Sequence, residues 1–136
     1  MRPNNLLTVA SLLSLLLLTI HVTDDIVHGF DEAGLMNMIG IAVAAVLLYG
    51  TLLLRERLSG HIIMLLISIF AAGMPVIHLR STHINETARS DGGFFFIWTL
   101  WALGVIGIFG IMLAVRGLWE LRRKKKASRD YETLPS

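Results

Sequence analysis

Four long apolar blocks restrict what this chain can fold into more than any other feature. They run from about Leu6 to Val22, Leu35 to Leu54, His61 to Leu79 and Phe94 to Val115. The hydrocarbon core of a bilayer is about 30 Å thick and takes about 20 helical residues to cross. Backbone polar groups in lipid must be satisfied internally, which leaves helices or closed barrels. Barrel strands alternate apolar and polar side chains, and these blocks do not. The expected fold is therefore all-α: an integral membrane bundle of four transmembrane helices, with short loops making neighbours antiparallel. Hydrophobic residues make up 54% of 136 residues, more than a soluble domain of this size hides in a core.

The basic residues orient such a bundle. Ten of the twelve Lys and Arg fall in the N-terminus, the 55–60 loop and the tail, leaving Arg80 and Arg89 for the other side. The positive-inside rule then makes both termini cytoplasmic. Asp24, Asp25, Asp31, Glu32, Glu86 and Asp91 fall on the opposite, outer side. A pI near 9.4 thus reflects topology, and no nucleic-acid partner is expected. The first block follows Met1-Arg2 like a secretory signal, but its exit, His21-Val22-Thr23-Asp24-Asp25, offers no small-x-small cleavage site. It reads as an uncleaved anchor.

Residues 1–119 form the expected membrane domain. Residues 120–136, with the run "LRRKKKASRD", form a basic tail expected to be disordered. The run suits a topology determinant that touches anionic headgroups. Small residues mark helix contacts: Gly40 and Ala44 in the second block, and Gly104, Gly107, Gly110 and Ala114 in the fourth. Such faces let backbones approach where lipid provides no hydrophobic drive, and they also suit homo- or hetero-oligomers. Pro75 removes a backbone bond to Ala71, so a kink is expected before His78.

The chemistry-bearing residues gather at one end. "IHVTDDIVHG", residues 20–29, closes the first block, and the third block closes with His78 and His83. With the topology above, His21, Asp24, Asp25, His28, His78 and His83 share the outer face. His61 begins the third block about 25 Å away. If the first helix continues past the lipid, His21, Asp24 or Asp25, and His28 fall on one helical face at i, i+3 or i+4, and i+7. A His from the third helix then completes a shell for a divalent metal. The candidate ligands are His21, Asp24, Asp25, His28 and His78, with His83 a weaker one. Nitrogen and oxygen donors suit Zn or Cu(II), and also Ni, Mn or Fe. The competing reading is structural: the helix stops near Thr23, Asp24-Asp25 turn the chain, Asp31 caps the next helix, and His78 bonds a carbonyl exposed by Pro75.

Other chemistries are thinner. With no cysteine in the chain, disulfides, thiolate metal sites and cysteine nucleophiles are excluded. No G-x-S-x-G, H-E-x-x-H or P-loop is present. A bis-His haem between His21 and His78 is the alternative cofactor. Asn85-Glu86-Thr87 matches a glycosylation sequon of low specificity.

The stretch "GGFFFIWTLWALGVIGIFGIMLAVRGLW", residues 92–119, clusters aromatics at its start and ends on Trp119, as an aromatic belt at both interfaces does. With "LLYGTLLLRERLSGHIIMLL" and "GMPVIH", it resembles small uncharacterised four-helix inner-membrane proteins of bacteria. The resemblance spans most of the chain and implies a bacterial inner membrane, with no activity or site attached. The reading is a small polytopic membrane protein, non-enzymatic or an accessory subunit, whose His/Asp cluster binds a divalent metal. The alternative is a haem-binding or metal-dependent redox or catalytic protein.

Overall fold

The computed structural model describes the backbone of residues 3–28, 35–80 and 88–132, and side chains within 5–28, 39–80 and 88–129. Among the described residues the chain is all-α, with four long helices and no strand. These are α1 (Pro3–Val27), α2 (Leu35–Leu53), α3 (Leu58–Leu79) and α4 (Gly93–Glu132). Three of them, α1, α3 and α4, are long and apolar enough to cross a membrane, while the apolar stretch described in α2, Ile39–Leu53, is shorter.

The boundaries differ from the sequence expectation at informative places. α1 continues past Thr23 to Val27, because nothing before Gly29 breaks a helix and its last turns carry two His–Asp pairs at i, i+4. The chain therefore does not turn at Asp24-Asp25. α3 begins at Leu58 and runs through Pro75 without interruption to Leu79. The tail, expected to be disordered from residue 120, is helical as far as Glu132. Residues 120–132 contain neither Gly nor Pro and are rich in Arg and Lys, both good helix formers. The Arg116 Nε donates to Glu120 at 3.0 Å across one turn, and the Arg123 guanidinium lies 5.1 Å from the Trp119 ring centroid. Both contacts support that last section.

Each helix runs opposite to the one before it. Val22, late in α1, meets Gly40, early in α2, and Gly50, late in α2, meets Ile63, early in α3. The α2–α3 turn is tight enough that a Cβ on Gly60 would strike the Leu54 carbonyl. α4 closes the ring by packing against both α3 and α1. The α3–α4 seam is built from small residues. Gly104 lies against Pro75, Gly107 against the backbone of Ser68 to Ala72, Gly110 against the Ser68 side chain and Gly117 against the His61 ring. At Gly107 an added Cβ would stand 2.5 Å from the Ala72 nitrogen, so the two backbones nearly touch. Gly40, by contrast, leaves 3.7 Å to Val22, an ordinary contact.

The interior is more polar than the rim. Ser11, Ser14, His21, Asp24, Thr51, His61, Ser68 and Thr99 are buried, while large apolar side chains such as Leu16, Ile41, Leu53, Leu66 and Phe94 face outward. Water-soluble domains sort the other way, and continuous exposed apolar surface of this kind suits a hydrocarbon solvent. Two apolar layers fill the middle. One contains Leu7, Leu47, Met64 and Ala114, and the other Leu17, Leu18, Ala71 and Leu103.

Candidate metal centre

The extension of α1 carries its polar residues up beside the end of α3 and the beginning of α4. His21 is fully buried, at 0% exposure. Its Nδ1 lies 3.2 Å from the Thr99 hydroxyl oxygen on α4, and the Thr99 hydroxyl donates to the Phe96 carbonyl at 2.9 Å. Its Nε2 is buried, has no hydrogen-bond partner, and stands 3.8 Å from the Asp25 Oδ2. That separation is beyond a hydrogen bond. One helix over, the His78 Nδ1 donates to the Met74 carbonyl at 3.0 Å, one turn back on α3, leaving Nε2 as its lone-pair nitrogen. The acceptor is the Met74 carbonyl and not the one Pro75 releases at Ala71.

His21, Asp25 and His78 each offer a ligand atom, and the three atoms lie within 4.8 Å of one another. The imidazole rings meet edge-to-face with centroids 5.4 Å apart. Phe96, itself buried, lies 4.9 Å from the His21 centroid and 5.7 Å from that of His78. Tetrahedral zinc bonds at about 2.0–2.1 Å place its ligand atoms about 3.3 Å apart. A contraction of less than about 1.5 Å per edge closes these donors around such an ion. Rings in edge contact, with Phe96 against both, leave no slot for a porphyrin between them.

The other candidates separate from this group. Asp24 turns to the opposite side of the i, i+4 pattern: its Oδ1 takes the His28 Nδ1 at 2.9 Å, and that nitrogen also lies 3.2 Å from the Asp24 carbonyl. The Asp24 Oδ2 is buried without a hydrogen-bond partner. The His28 ring rests on Gly92, whose φ of +86° and lack of a Cβ make room for it. Asp24 and His28 thus dock the end of α1 onto the start of α4. His83, with Asp31 and Glu86, lies outside the described residues. His61 sits at the far end of the bundle against Gly117, its Nδ1 donating to the Arg57 carbonyl at 3.1 Å. Thr99 and Phe96 escaped the sequence reading because they belong to an aromatic run taken as an interfacial belt. The one signal was a hydroxyl inside "FFFIWTLW".

Fold and site together define an all-helical protein with membrane-length apolar helices and a two-histidine, one-carboxylate cluster built around the buried His21. No protein-family model, no curated protein and no solved structure matches this chain.

Proposed function

We propose that the chain crosses a membrane four times, with both termini cytoplasmic, and binds one divalent metal ion through His21, Asp25 and His78. The inverted polarity of the bundle and its three membrane-length helices support the spanning. The distribution of Lys and Arg supports the orientation, and the resemblance to bacterial inner-membrane proteins supports a plasma membrane. The basic end of α4 then meets anionic headgroups.

The single observation that carries the metal reading is the His21 Nε2. A buried lone pair with no hydrogen-bond partner, facing a carboxylate across 3.8 Å, is costly. A cation between them removes the cost. Two neutral imidazoles and one carboxylate are a borderline donor set with one coordination position left open, suited to zinc. The role is that of a non-enzymatic metal-binding membrane protein or an accessory subunit. The test is metal content and zinc titration of purified protein in detergent. One zinc per chain, lost in His21→Ala and in His78→Ala, is expected. Wild-type protein without stoichiometric uptake, or alanine variants that bind as well, would overturn the reading.

A further inference from the structure

Metal ligation by histidine depends on which ring nitrogen carries the proton, and that is set by what the other nitrogen bonds. His78 has no freedom in this respect. Its Nδ1 faces the Met74 carbonyl at 3.0 Å, and a carbonyl only accepts. His21 faces a hydroxyl instead, which both donates and accepts. Two arrangements are therefore open to it. In one, the Thr99 hydroxyl donates to the His21 Nδ1, and Nε2–H points at Asp25. His21 is then committed to a His–Asp hydrogen bond and has no lone pair to offer a metal. In the other, the Thr99 proton goes elsewhere, Nδ1–H donates to the hydroxyl oxygen, and Nε2 keeps its lone pair.

The geometry points to the second arrangement, and we infer that Thr99 is the positioning residue that makes this cluster a metal site. The Thr99 hydroxyl proton has an acceptor in the Phe96 carbonyl at 2.9 Å, so its oxygen is left to accept from His21 at 3.2 Å. An Nε2–H aimed at a carboxylate would draw it to about 2.7–2.9 Å, whereas the Asp25 Oδ2 stands at 3.8 Å. Thr99 is fully buried, at 0% exposure, so no water competes for either bond. It touches no metal itself. It acts through His21, by fixing the tautomer and holding the ring while Phe96 lies tilted against it.

This inference rests on the metal reading above, and the experiment separates the two. Zinc affinity is measured by titration calorimetry in detergent for wild type, Thr99→Val and Thr99→Ser. The His21 tautomer is read in parallel from 15N shifts of the zinc-free proteins. Valine keeps the shape and removes the hydroxyl, and serine restores it. Loss of an outer-shell partner typically weakens metal binding about 10- to 100-fold. Thr99→Val should fall in that range and move the His21 proton from Nδ1 to Nε2, while Thr99→Ser should return both to wild type. A wild-type protein that takes up no zinc overturns the metal reading. Wild type and Thr99→Val binding zinc equally overturns the role of Thr99 alone. Zinc-free wild type with its proton on the His21 Nε2 overturns the tautomer assignment whatever the affinities show.

Discussion

Replacing Gly107 by alanine adds one methyl group at the closest approach of α3 and α4. The new Cβ would stand 2.5 Å from the Ala72 nitrogen, 2.8 Å from the Ser68 carbonyl oxygen and 3.0 Å from the Ala71 carbonyl carbon. All three are backbone atoms and none can rotate away. Ordinary contact needs about 3.5 Å, so the helices must part by about 1 Å there. A gap of that size forfeits a quarter to a half of each contact's dispersion energy along the seam, including Gly104 on Pro75 and Gly110 on Ser68. Overpacking of this kind costs about 1–3 kcal/mol. Alanine also favours a helix over glycine by about 0.8–1 kcal/mol, which masks part of the loss. Gly73 supplies the control, because it lies in α3 with nothing within 4 Å of its Cβ position. Gly73→Ala should therefore hold or raise stability, and the difference between the two variants isolates the packing penalty. Reversible unfolding in mixed micelles measures it. If Gly107→Ala and Gly73→Ala agree within about 0.5 kcal/mol, the close seam is not what holds α3 to α4.

The His21→Ala and His78→Ala variants should each remove most zinc-dependent thermal stabilisation, with the double variant little worse, since ligands of one ion couple by about 0.5–3 kcal/mol. Additive shifts independent of zinc would refute a shared ion. His28→Ala should leave zinc affinity within about threefold of wild type, because His28 pairs with Asp24 and not with the ion. A loss as deep as that of His78→Ala would place His28 among the ligands. Gly92→Ala forces a side chain to a φ of +86° and into the His28 ring, so about 1–3 kcal/mol of stability should be lost; unchanged melting would refute the α1–α4 dock. With no native cysteine to interfere, Asp91→Cys should react with an impermeant maleimide in intact cells and Ser59→Cys should not. Labelling of Ser59→Cys alone reverses the orientation.

Helix identity was legible along the chain because the apolar blocks are long and do not alternate as strands do, and three of the four helices are long and apolar enough to cross a membrane. The gathering of His21, Asp24, Asp25, His28 and His78 at one end also followed from counting helices, since α1 and α3 end on the same side of the bundle. The division of those residues did not. Asp24 and Asp25 are adjacent in sequence and point about 100° apart on a helix, so only the positions of α3 and α4 decide which one meets His78 and which one stays with His28. Helix ends depended on side-chain pairs and backbone propensity in combination. That is why α1 runs on through its acidic pair and α4 through its basic run. Thr99 was unreadable for a more basic reason. A hydroxyl in an apolar helix is an ordinary residue until a histidine from another helix is set against it, 78 residues away in sequence and 3.2 Å away in space. The sequence alone therefore determined which segments avoid water and roughly where the polar residues cluster. Which hydroxyl and which carboxylate stand against His21 was decided only when the packing of three helices brought Thr99 and Asp25 into place.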